Sequence, residues 1–141
     1  MKHLVLLLLL VGTLNTIQAQ QQSDKIIGIW LNEDKTNNIE IYKLGDTYSA
    51  KIVWLSKMES NPNLQPKDKK NPNKDLRNRN ILGMDIITGL KFSTNKWVNG
   101  KIYTPKKGMY ADCEIELQSN GQLKIIVSKS GFTKTQIWTR K

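Results

Sequence analysis

The chain has 141 residues, with 22 Lys and Arg against 12 Asp and Glu and a formal net charge of +10. That length suits one domain with a modest core. A single Cys and a single His exclude a disulfide framework within the chain and any site built from several histidines.

The N-terminus begins Met1-Lys2-His3. An unbroken apolar run then opens at Leu4 and closes at Val11, followed by Gly12, Thr13 and Asn15, with the small Ala19 beyond. Positive start, apolar stretch and small-residue cleavage point are the parts of a secretory signal peptide, and the run is too short to span a bilayer comfortably. The sequence therefore predicts a signal peptide over residues 1–19 and one β-barrel domain over residues 20–141. The product is expected to be exported, periplasmic or secreted, with no transmembrane segment in the mature chain. His3 would leave with the leader, so a His-based triad, base or metal site is not expected.

Alternation of apolar and polar residues dominates the rest. A first strand reads from Ile26 to Leu31. Ile39 and Ile41 alternate with Glu40 and Tyr42, Gly45-Asp46 turns the chain, and Tyr48, Ala50, Ile52 and Trp54 alternate with Thr47, Ser49, Lys51 and Val53. One or two strands fit between Met84 and Trp97. Asn99-Gly100 has the chemistry of a tight hairpin turn between Trp97-Val98 and Ile102-Tyr103. After the Pro105–Gly108 turn, Met109, Ala111, Cys113, Ile115 and Leu117 form an apolar stripe opposite Tyr110, Asp112, Glu114 and Glu116. Asn120-Gly121 turns the chain, Leu123, Ile125 and Val127 continue the inner face, and a last strand ends near Arg140.

Short strands joined by tight turns predict an all-β antiparallel up-and-down barrel of about eight strands, since an open meander would leave edges free to aggregate. Glu114, Glu116, Lys124 and Lys134 on its outer faces argue against a membrane-spanning barrel. Trp30 and Arg140 belong to the first and last strands, which closure makes neighbours. The guanidinium is expected to stack on the indole, with Gly28 and Trp138 completing that end.

One basic, Asn- and Pro-rich segment, residues 68–83, is too long for a turn. Loops of that length in compact domains are functional or disordered. It is expected to be an ordered lid or plug, with at most a short helical turn around Lys74 to Asn78. Asp68, Asn71, Asp75, Leu82 and Gly83 are its structuring residues: the aspartates as ion-pair partners and caps, and Ile81-Leu82-Gly83 as an anchor into the core. Arg77 and Arg79, two apart, share a face in extended backbone. Their planar forks either tie the loop to a carboxylate of the same chain or, with Trp54 and Tyr110, bind an anionic ligand group. No catalytic residue, metal site or cofactor is assigned, and no Gly-rich phosphate loop is present to bind a nucleotide. Cys113, mid-strand on the apolar face, reads as a small buried hydrophobe.

Several residues together resemble a known family. Gly28-x-Trp30 with an arginine in the final strand is similar to the calycin pattern of lipocalins and fatty-acid-binding proteins. Adding Ile52-Val53-Trp54, Asp68 through Asn71-Pro72, Leu76-Arg77-Asn78-Arg79, Leu82-Gly83, Trp97 with Gly100, Ile102-Tyr103 with Pro105 and Gly108, and Trp138-Thr139-Arg140, the chain resembles the exported bacterial family called domain of unknown function 2147. Asn80 stands where the family pattern has a proline, and residues 56–65 are longer than in that pattern. The resemblance implies an exported lipocalin-like barrel and no particular activity, because the fold hosts binders and enzymes alike. The leading expectation is a binding module for a small apolar or amphipathic ligand, lined by Met109, Ala111, Ile115, Leu123, Ile125 and Val127. The alternative is a solid barrel whose basic loop, residues 67–79, contacts an anionic partner in the envelope. Scattered lysines with no helix to gather them give no reason to expect nucleic acid.

Overall fold

The computed structural model of the protein describes residues 14–141, so the apolar run of the predicted leader lies outside the described residues. Eight strands follow one another: β1 (Gly28–Leu31), β2 (Asn37–Leu44), β3 (Thr47–Leu55), β4 (Asp85–Ser93), β5 (Lys96–Thr104), β6 (Met109–Leu117), β7 (Leu123–Lys129) and β8 (Phe132–Arg140). Each pairs antiparallel with its chain neighbour, and β1 also pairs with β8. The result is the closed up-and-down barrel that the alternation predicts. Branched and aromatic side chains meet across the inner face, as in Ile39 opposite Ile52, Ile87 opposite Ile102, Ile115 opposite Ile125 and Leu123 opposite Trp138. Such cross-strand pairs suit a pleated surface buried on one side.

The two ends of the barrel differ. At one end, residues 14–23 are helical and a 3-10 turn over Asp24–Ile26 covers the opening. Three inward aromatics hold that turn. The Trp97 indole donates to the Ser23 carbonyl at 2.9 Å, Trp30 donates to the Ile26 carbonyl at 2.9 Å, and the Tyr48 hydroxyl donates to Asp24 Oδ1 at 2.5 Å. The hydrogen bond from Tyr48 holds the Asp24 carboxyl below its ordinary range. Arg140 lies 4.1 Å over the Trp30 ring and donates to the carbonyls of Ile27 and Lys25 at 3.1 and 2.7 Å. Tryptophan suits this plug because its body is apolar and its N–H reaches an otherwise unpaired carbonyl.

Three local expectations are corrected. The first strand begins at Gly28 instead of Ile26, because Ile26 turns inward on the 3-10 turn and is fully buried. Asn99-Gly100 is no hairpin turn: β5 runs through it with a bulge. Asn99 has φ 61° but Gly100 is not left-handed, whereas a two-residue type I′ turn needs both. The inner stripe of β6 starts late, with Met109 42% exposed and Cys113 and Ile115 buried.

Candidate functional site

The other end of the barrel is open. The β1–β2 turn, the long β3–β4 connection and the β5–β6 turn surround a cavity of about 590 Å³. Its inner wall is apolar: Ile39, Ile52, Leu55, Ile102 and Trp138, with Ile81 and Ile86 from the β3–β4 side. Its rim is basic. Lys57, Lys67, Lys69, Lys70 and Lys106 line it, against the single carboxylate of Asp34. Among the described residues, none of these lysines is in a salt bridge. Lys67 Nζ donates to Asn80 Oδ1 at 2.6 Å.

The segment that places three of those lysines is ordered by one buried carboxylate. Residues 66–68 run against residues 79–81, with a bridge between Lys67 and Asn80 and backbone bonds Asp68 N to Arg79 O and Ile81 N to Pro66 O. Asp68 has no exposed surface. Its Oδ1 accepts from the Tyr103 hydroxyl at 2.5 Å, and its Oδ2 accepts from Asn71 Nδ2 at 2.7 Å and Arg79 Nε at 3.0 Å. A buried charge is tolerable only when paired and hydrogen-bonded, and this one has all three partners. Burial and then the bond to Asp68 push the Tyr103 hydroxyl up to about 12. Asn71, also fully buried, accepts from Asn73 N through its side chain and from Arg77 Nε through its carbonyl. Gly108 lets the loop dock on the β5–β6 turn, since a Cβ there would stand 1.9 Å from the Lys70 carbonyl oxygen.

The residues expected to bind ligand lie elsewhere. Arg77, Arg79, Trp54 and Tyr110 are all absent from the cavity lining. Arg79 and Arg77 hold the loop itself, through Asp68 and the Asn71 carbonyl. Trp54 pairs with Asn38 next to a register shift that re-aims the end of β3. Tyr110 sits opposite Tyr103 on the outer face, ring centroids 4.6 Å apart. The expected lining of Met109, Ala111, Ile115, Leu123, Ile125 and Val127 is corrected too, because none of the six lines the cavity. Ile115, Leu123 and Ile125 are fully buried in the packed core. Cys113 joins them, its thiol pushed up to about 12 by burial, which keeps it unreactive.

Within the loop, Asn73 caps the 3-10 turn Lys74–Leu76, accepting from Asp75 N at 3.0 Å. Asp75 is therefore inside the turn and is not its cap. Ile81 packs on the core and Gly83 N bonds the Ile52 carbonyl at 2.7 Å. Leu82 instead faces out, 38% exposed, onto a shallow groove with Met58 and Leu64. Gly28, Trp30, Trp138 and Arg140 lie in or beside the β1–β8 seam; Trp138 points into the cavity.

The strands and the tethered β3–β4 loop fall within the span of one family model. The model for DUF2147, described as an uncharacterized protein conserved in bacteria, matches residues 28–140. The chain belongs to the DUF2147 family. Among solved structures, protein HP1028 from the human pathogen Helicobacter pylori, described as belonging to the lipocalin family, superposes with a TM-score of 0.71 at 24% identity, over 82% of each chain. No curated protein matches. The likeness to HP1028 shows the fold of the DUF2147 chain, a lipocalin-like barrel, and no more. Four of the five rim lysines of this DUF2147 protein, Lys57, Lys67, Lys69 and Lys70, come from the β3–β4 connection, and only folding brings Lys106 of the β5–β6 turn beside them. What sequence reasoning missed is that Lys57 and Lys106 join the basic segment around an apolar cavity.

Proposed function

We propose that this DUF2147 protein binds a small amphipathic molecule with an anionic head, its apolar tail in the cavity and its head among the rim lysines. The observation that carries the reading is the division of one cavity into an isoleucine- and tryptophan-lined floor and a rim of five lysines facing one carboxylate. An apolar pocket with a few convergent polar groups is the usual form of a small-molecule site. Lysines near an open mouth keep their charges hydrated until a head group arrives, and several of them attract it from solution. This reading merges the two expectations from sequence: a ligand-holding barrel and a basic loop that meets an anion.

We further propose that the chain is exported, with residues 1–19 removed. The charged start, the apolar run and Ala19 support this reading. The bonds that plug the barrel involve Ser23, Asp24 and Ile26, all downstream of Ala19, so cleavage there would leave the plug in place.

The test is displacement of an environment-sensitive fluorescent dye from the purified protein. Single-chain carboxylates and phosphates are expected to displace it, and Leu55→Trp, which fills the apolar part of the cavity, to abolish dye binding. A dye that does not bind, or that Leu55→Trp leaves bound, would overturn the reading.

A further inference from the structure

Three large apolar side chains stand exposed on two neighbouring turns at the open end. Phe132 follows the β7–β8 turn and is 82% exposed. Ser130 and Gly131 have φ of 52° and 81°, the left-handed pair of a tight type I′ turn, so Phe132 is presented on a short, stiff connection. Met109 and Tyr110, which begin β6, are 42% and 45% exposed. The β6–β7 register, Asp112 opposite Ser128, runs these two residues toward the same β7–β8 turn. Single exposed apolar residues are normal, but a group of three on adjacent turns marks an interaction edge.

Four lysines stand close to these side chains. Lys106 and Lys107 occupy the β5–β6 turn, Lys129 is the register partner of Phe132, and Lys134 follows on β8. Among the described residues, none of these four lysines is in a salt bridge. Elsewhere on the barrel Lys43, Lys51, Lys91, Lys96 and Lys101 each face a carboxylate. The four lysines beside the apolar tips thus differ from these five in having no carboxylate partner.

We propose that this edge docks the barrel, open end first, onto an anionic lipid bilayer. Phe132 and Met109 enter the boundary between headgroups and acyl chains, Tyr110 lies at headgroup level, and Lys106, Lys107, Lys129 and Lys134 meet lipid phosphates. Apolar tips ringed by lysines without counter-ions match a surface that is negative outside and apolar beneath. A nucleic acid would engage the lysines and leave Phe132 in water. Lys106 belongs also to the cavity rim, but Phe132, Met109, Tyr110, Lys107, Lys129 and Lys134 do not line the cavity, so docking can be tested apart from what the cavity holds.

The test is co-sedimentation of the purified protein with vesicles of phosphatidylcholine alone or mixed with phosphatidylglycerol. Wild type, Phe132→Asp, and a variant with Lys107, Lys129 and Lys134 all changed to Gln are compared. Circular dichroism checks that the variants keep the barrel. Wild type is expected to sediment with the mixed vesicles, and each variant to lose about tenfold in affinity, since both buried apolar area and attraction to anionic lipid set the binding. No sedimentation with either composition would overturn the proposal. Retention in which both variants match wild type would place the contact elsewhere on the chain and overturn it equally.

Discussion

The Tyr103 hydroxyl, on the outer face of β5, donates a 2.5 Å hydrogen bond to Asp68, a carboxylate with no exposed surface in the β3–β4 connection. That contact joins the barrel wall to the loop that carries Lys67, Lys69 and Lys70 to the mouth. Tyr103→Phe removes one donor and leaves the buried charge with Asn71 and Arg79. The expected cost is about 1–3 kcal/mol, the penalty for an underbonded buried polar group. Urea denaturation measures it, and amide exchange should show the loss of protection concentrated in residues 66–81.

The same bond predicts a dependence on alkaline pH. Tyr103 titrates near 12 in the folded protein against its ordinary value of 10.0. Above its unfolded pKa the unfolded chain loses this proton first, so stability from Tyr103 is complete below about 10 and is lost as pH rises toward 12. Tyr42, bonded to Asp85, and Tyr48, desolvated and bonded to Asp24, are raised as well, so the check is the difference in tyrosinate absorbance between wild type and Tyr103→Phe, which should lie at the alkaline end of the titration.

Gly108 and Gly45 separate backbone strain from docking. Both have φ near 64°, at 64° and 63°, but only Gly108 faces a neighbour, the Lys70 carbonyl. Gly45→Ala is expected to cost about 1–2 kcal/mol, the left-handed penalty alone. Gly108→Ala should cost more and should also release the loop, which limited proteolysis within residues 67–80 would detect. Equal effects would show that the loop does not rest on this turn.

Arg140 is the closing contact of the seam. Arg140→Met removes the stack on Trp30 and two bonds to carbonyls. A loss of about 2 kcal/mol or more is expected, with Arg140→Lys recovering only part of it, because an ammonium cannot present two donors in a fixed plane. Thermal melts followed by tryptophan fluorescence read both.

How much of this was legible in the sequence depends on the range of the interaction. Alternation over residues 39–54 and 109–127 is local and period-two, so the barrel and the Trp30–Arg140 seam could be read from it directly. Asn99-Gly100 misled because its turn chemistry is equally the chemistry of a bulge, and Gly100 serves a different need: the Leu90 side chain and the Cys113 carbonyl leave no room there for a Cβ. Met109 follows the stripe in sequence but lies at the mouth, where the barrel has no interior to face. The cavity rim is the least legible part, because the irregular β3–β4 connection that carries four of its lysines has no periodicity to show where they point, and Lys106 reaches it from a different turn.

The central claim is that an apolar floor and a lysine rim select an amphipathic anion. Isothermal titration of the protein with dodecanoate and with dodecyltrimethylammonium, equal in chain and opposite in head-group charge, tests it most directly. The account predicts saturable binding of dodecanoate, lost in Leu55→Trp and weakened when Lys57, Lys69 and Lys106 are changed to Gln, with no binding of the cation. Equal binding of both heads, or none of either, would contradict it.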